Sequence, residues 1–182
     1  MPLARTPYFP PLSDLQQLPM TTSTLTQPSK IALVGMGQIT IARAPETISC
    51  VLGSCIGVAL FHPRVRVGVL AHVVLANSAG RTDCPGKFAD TAVPRMIQLL
   101  IEHGASSQSA VAKIAGGASM FGASGPFKIG AANTEAVLAA LAKAGIRVAA
   151  QHVGEQKGRR VTLDCTTGNL AIEVAGAPSI VI

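Results

Sequence analysis

Two side chains in the first half of the sequence have the types that do covalent chemistry on carbonyl compounds. Cys55 follows a glycine turn, Leu52-Gly53-Ser54-Cys55, at the head of an apolar run, and His72 lies in a second apolar run seventeen positions later. A thiol becomes a useful nucleophile when a neighbouring group stabilises its thiolate, and an imidazole does this and then carries the proton onward. Gly53 lets the backbone turn tightly, so that main-chain N–H groups around Ser54 and Cys55 face a developing oxyanion. A small residue at Ser54 keeps the mouth of such a site open. The same residues also have an ordinary reading. A cysteine that begins an apolar strand is commonly a small buried hydrophobe, and a single histidine is commonly a satisfied core or surface residue. Spacing alone leaves both readings open.

Metal chemistry finds less support in the pattern. The cysteines stand at 50, 55, 84 and 165 and the histidines at 62, 72, 103 and 152, with no C-x-x-C, H-x-x-x-H or H-E-x-x-H among them. No metal and no cofactor is expected. The cysteines also lack the regular spacing of a disulfide scaffold, which fits a reducing, cytoplasmic setting.

The elements that must carry these residues follow from composition and pattern. With 182 residues, 48% of them hydrophobic, the chain suffices for one globular core. Only 13% are charged and 3% aromatic, so that core must be Ala, Val, Leu and Ile packed against many glycines. A net charge of +6 attracts nucleic acid, a membrane surface or an acidic protein alike. One Tyr and no Trp make a poor base-stacking platform, so no nucleic-acid partner is expected. No run of about eighteen apolar residues offers a membrane span, and the first residues lack a secretory signal pattern.

Residues 1–29 hold half of the 12 prolines amid Ser, Thr and Gln, and read as a disordered tail before a domain at 30–182. Short strands are expected at 31–34 and 38–42, then neighbouring strands at 55–61 and 67–75. A helix from Thr91, capped by it and with Pro94 in its first turn, ends at Gly104. A strand at 110–115 runs into a glycine loop at 116–122. A second helix spans 133–144, capped by Asn133 or Thr134, and strands at 146–153, 160–164 and 170–174 close the chain. This order lacks strict β-α alternation, so the expected fold is a single α+β domain with largely antiparallel sheets covered by two main helices.

Several stretches, taken in order, resemble the CheD family of chemoreceptor glutamine deamidases. LGSCIGVALFHP (52–63) and GVLAHVVLA (68–76) carry the cysteine and the histidine. FADTAVPRMIQLLIEHGA (88–105), AKIAGGASMF (112–121), IGAANTEAVLAAL (129–141), GRRVTLD (158–164) and TTG (166–168) follow in family order. The resemblance implies a cysteine hydrolase that converts glutamine side chains on the cytoplasmic helices of chemoreceptors to glutamate through a thioester. It puts the nucleophile on Cys55 and the base on His72. The family's third member, a threonine, falls on Ser49, with Thr47 a nearby alternative. Three further departures are His62 for Asp, Ala76 for Pro, and Glu155 in the second position of a glycine pair.

Substrate or partner contact is expected from Gly116, Gly117, Met120, Phe121 and Arg159, with Arg64, Arg66 or Arg159 steering an acidic helix. A CheC-type phosphatase is a further partner that the resemblance implies. Two rival readings stay open: a non-enzymatic adaptor that binds receptors or such a phosphatase, and another thiol enzyme sharing the acyl-enzyme step.

Overall fold

The computed structural model describes residues 30–119 and 129–182. The expected leader at 1–29 and the side chains of Met120 and Phe121 lie outside them. Among the described residues ten strands and two α-helices form one α+β domain: β1 (Ile31–Leu33), β2 (Ile39–Arg43), β3 (Thr47–Leu52), β4 (Ile56–His62), β5 (Val67–Val73), α1 (Ala89–Glu102), β6 (Val111–Gly116), α2 (Ile129–Lys143), β7 (Arg147–Val153), β8 (Arg159–Asp164), β9 (Leu170–Val174) and β10 (Ile180–Val181). One sheet has the order β1-β3-β8-β9-β10 and the other β2-β5-β4-β6-β7. Pairing is antiparallel except at β1/β3 and β6/β7.

The layers follow from where apolar side chains fall. β4 and β5 are buried at all seven of their positions, because both faces of their sheet are covered. On one face Val58, Leu60, Val69 and Ala71 meet Met96 and Leu100 of α1 and Val137 and Leu141 of α2. On the other, Ala59, Leu70 and Ala115 meet Ile48, Cys50, Leu52, Val161 and Leu163 of the first sheet. The helices therefore cover the β2-β5-β4-β6-β7 sheet, and the first sheet packs on its far side. Among the described residues, the outer face of the first sheet keeps Leu33 and Val51 well exposed, at 78% and 63%.

Two helix starts differ from the expected ones. Helix α1 begins at Ala89 after Phe88, so Thr91 is inside it, where its hydroxyl donates to Pro85 O at 2.7 Å, and Pro94 falls beyond the first turn. Helix α2 begins at Ile129, which leaves Asn133 in its middle and 1% exposed instead of capping it. The expected ends hold: Gly104 (φ 76°) and Gly145 (φ 69°) take the left-handed conformation just past each helix.

Crossings between sheets create the site. Residues 34–38 lead from β1 to β2, 53–55 from β3 to β4, and 154–158 from β7 to β8, each passing from one sheet to the other. The strand registers place all three crossings at the same end of the sandwich.

Candidate active site

Cys55 sits in the bend at residues 53–55, one residue ahead of the first paired residue of β4, and is half-buried. Ile56 pairs with Val73 and Gly57 with His72, so Cys55 and His72 share one face of the β4/β5 ladder as diagonal neighbours. Gly57, directly across from His72, adds no side chain between them. The spacing of the two residues in the chain is thus the path length of one hairpin.

The bend is held from three sides. Gly117 N–H donates to Cys55 O at 2.8 Å and Ala118 N–H to Gly53 O at 2.9 Å. Gly116 has φ 115°, and a Cβ there would collide with Cys55 O. From α2, the Asn133 amide donates to Ser54 O at 3.2 Å and to Val74 O at 2.8 Å, tying the nucleophile turn to the end of β5. Asn133 is the positioning residue that sequence reasoning misplaced as a cap. Its signal was a polar side chain on the stripe of Val137 and Leu141, four and eight residues before them.

Electrostatics set the resting state. Burial raises the Cys55 thiol above its ordinary value, opposed by its own backbone N–H. Burial lowers the His72 imidazole, opposed by a backbone hydrogen bond at Val34. A hydrogen bond that favours the protonated ring must use the Val34 carbonyl. Both shifts favour the uncharged thiol and the uncharged imidazole. Among the described residues, His72 Nδ1 is buried with no hydrogen-bond partner. The His72 main chain is fixed as well, since its N–H donates to Gln38 O at 3.0 Å and its carbonyl accepts from Gly37 N–H at 2.9 Å.

Ser49 supports this arrangement through its backbone. Its carbonyl accepts from Val34 N–H at 2.9 Å. Its hydroxyl donates to Val161 O at 2.9 Å and lies 3.0 Å from Thr162 Oγ1, its cross-strand partner. Those bonds occupy the side chain on the sheet face opposite to inward-facing Cys50, away from His72. Thr47 lies two residues further from the site, its hydroxyl buried and unpartnered among the described residues.

The expected contact residues take different places. Gly116 and Gly117 are buried and back the Cys55 bend, so neither offers a surface to a partner. Arg159 is 1% exposed and spends its guanidinium inside the 152–158 turn, donating to His152 O at 2.8 Å, His152 Nδ1 at 2.6 Å and Gly154 O at 2.5 Å. It cannot steer a ligand from there. Arg64 and Arg66 lie in the β4–β5 hairpin turn, at the far end of a seven-residue strand from Cys55, roughly 20 Å away. Glu155 adopts φ 63° and reaches Arg159 Nη2 at 3.5 Å and His152 Nε2 at 3.6 Å. Its backbone O accepts from Ser119 N–H at 2.7 Å, and Gly154 N–H donates to Gly116 O at 2.9 Å. Arg159 thereby holds the turn that holds the backing of Cys55.

A cleft of about 620 Å³ lies elsewhere, between α1 and α2, lined by Ala76, Asp90, Pro94, Ala140 and Lys143 among others. It holds neither Cys55 nor His72, so reactive groups rather than volume locate the site. Among the described residues no three His, Cys, Asp or Glu are grouped to hold a metal ion, and no helix is long and apolar enough to cross a membrane.

The family model described as CheD chemotactic sensory transduction matches residues 74–174. A probable chemoreceptor glutamine deamidase CheD of Symbiobacterium thermophilum is 41% identical over 155 residues, covering 81% of this chain and 94% of the relative. The chain belongs to the CheD family. The chemoreceptor glutamine deamidase CheD of Thermotoga maritima is 41% identical over 145 residues, 79% of this chain and 92% of its own length. A probable CheD of Methanococcus vannielii is 40% identical over 141 residues, 76% and 92% of the two chains. The CheD family model starts at Val74, just past His72, so the roles of Cys55 and His72 are argued from geometry.

Proposed function

We propose that this CheD chain hydrolyses the side-chain amide of particular glutamines on the cytoplasmic helices of chemoreceptors, giving glutamate and ammonia, with Cys55 as nucleophile and His72 as acid and base. The observation that carries this reading is the diagonal placement of a half-buried thiol and an imidazole across Gly57, in a member of a family whose relatives bear that activity in their names.

His72, through its unpartnered Nδ1, takes the proton from Cys55 as the sulfur attacks the carboxamide carbon. Backbone N–H groups around Ser54 and Cys55 stabilise the oxyanion. The tetrahedral adduct collapses, the C–N bond breaks, and His72 returns the proton so that ammonia leaves a thioester. Water deprotonated by His72 then attacks the thioester, the C–S bond breaks, and Cys55 regains its proton. The Val34 carbonyl steadies the imidazolium formed at each step.

The test is intact mass of a receptor fragment before and after incubation: each converted glutamine adds about 1 Da, and ammonia appears in equal amount. Mass gain with Cys55→Ala at the wild-type rate would remove Cys55 from the reaction. A CheC-type phosphatase is proposed as a further partner, checked by co-purification with the intact chain.

A further inference from the structure

Cys50 takes no part in the proposed deamidation, yet its thiol packs beside the glycine that separates Cys55 from His72. It points from β3 into the core between the sheets, 3% exposed, with its sulfur 3.7 Å from the point a Cβ on Gly57 would occupy. Gly57 lies directly across the ladder from His72 and two residues beyond Cys55, on the same face of the strand. Cys55 in turn packs against the apolar cluster that contains Cys50. Leu52 Cδ1, at 2.8 Å, and Val161 Cγ2, at 3.4 Å, fill the rest of the space beside Gly57. Burial, and then negative charge on Cys55, push the Cys50 thiol up to about 12. The other thiols are placed differently. Cys165 packs against Gly68 toward the far end of the hairpin, and Cys84 donates to Gly37 O at 3.3 Å.

We propose that Cys50 is a resolving thiol for Cys55: a hydroperoxide oxidises Cys55, and Cys50 then closes a Cys50–Cys55 disulfide that switches the site off reversibly. The Cys55 sulfur attacks the peroxide oxygen, the O–O bond breaks, and Cys55 becomes a sulfenic acid as water leaves. The Cys50 sulfur attacks the Cys55 sulfur, the S–O bond breaks, and the hydroxyl departs as water with the Cys50 proton. Two thiols lose two electrons and two protons, and one hydrogen peroxide becomes two waters. His72, directly across from Gly57, is placed to relay the Cys50 proton to the departing hydroxyl. Cys55 stands in a bend before the first ladder pair of β4, so its side chain can turn toward Cys50 without breaking a bond of that ladder. The disulfide would shield Cys55 from the sulfinic and sulfonic states that no thiol reverses.

The inference rests on Cys55 being the reactive thiol, and its test reads mass rather than deamidation, so the two ideas fail separately. Purified protein is treated with hydrogen peroxide and digested with trypsin without reduction. Both cysteines fall in the one peptide 44–64, which is expected to lose about 2 Da, regained on dithiothreitol treatment. In Cys50→Ala, or Cys50→Val should the smaller side chain impair folding, the loss disappears. Cys55 then traps dimedone and goes on to gain about 32 Da as the sulfinic acid. The proposal is overturned if wild type shows no such loss in that peptide, if Cys55 links to Cys84 instead, or if wild type and Cys50→Ala overoxidise at the same rate.

Discussion

Replacing Arg159 with methionine isolates the part that a buried guanidinium plays in holding the nucleophile. Methionine fills much of the same volume without donors. Three short bonds are lost, to His152 O at 2.8 Å, His152 Nδ1 at 2.6 Å and Gly154 O at 2.5 Å, while those to Lys157 O at 3.4 Å and Glu155 at 3.5 Å lie at the limit of the geometry. Bonds from a charged donor contribute about 1.5–3 kcal/mol each, so the gross loss is about 4.5–9 kcal/mol. Relief of the desolvated charge returns part of it, leaving a net destabilisation of about 2–4 kcal/mol. The effect should be concentrated in the 152–158 turn and carried by Gly154 N–H to Gly116 O and by Ser119 N–H to Glu155 O. Urea unfolding gives the global cost, and amide exchange at Gly154 and Ser119 gives the local one. Turnover on a receptor fragment should fall even where the folded state is fully populated. An Arg159→Met protein within about 0.5 kcal/mol of wild type, with both amides as protected as before, would refute this reasoning.

Other perturbations separate the remaining parts. Gly116→Ala forces a side chain onto Cys55 O at a backbone φ of 115°, and should cost about 1–3 kcal/mol and most of the turnover, read by melting and ammonia release. Asn133→Leu frees Ser54 O and Val74 O and should cost about 2–3 kcal/mol, with a larger fall in kcat than in KM dependence. Because burial depresses His72, the base form persists below pH 6.5, and the acid limb of kcat/KM should lie below that value; a limb above pH 7 would point to an ion pair instead. Cys50 is raised from 9.0 to about 12, so above pH 9.0 the unfolded chain sheds a proton that the folded chain keeps. Stability therefore falls with rising pH through that window, by about 1.4 kcal/mol per unit from this group, and Cys50→Ala should flatten the slope seen in alkaline urea titrations.

Much of this architecture was readable because it rests on local pattern. The β4–β5 hairpin declared itself by two long apolar runs, which is what burial on both faces requires, and the helix ends by Gly104 and Gly145. Strand β3 did not, since Thr47, Ser49 and Cys50 are small or polar and its alternation is broken by the buried Ser49. Its existence depends on β1 and β8, which are distant in sequence. The Cys55 and His72 pairing was legible as a hairpin. The role of Val34 was not, because a backbone carbonyl leaves no mark on residue type. Arg159 looked like a surface charge for the same kind of reason: only the fold of residues 152–158 around it supplies the carbonyls that let a guanidinium be buried. Asn133 satisfied every local rule for a helix cap, and the extra turn beginning at Ile129 turned it inward.

The central claim is that the Cys55 thiol does the chemistry, with His72 as its base. Trapping settles this most directly: a receptor fragment mixed with the wild-type chain and quenched in acid within a turnover should yield a covalent adduct on Cys55 by mass, while the fragment gains about 1 Da per glutamine over time. Cys55→Ala should show neither adduct nor gain, and His72→Ala should lose turnover although the thiol is intact. Glutamine conversion at an undiminished rate by Cys55→Ala would contradict the account.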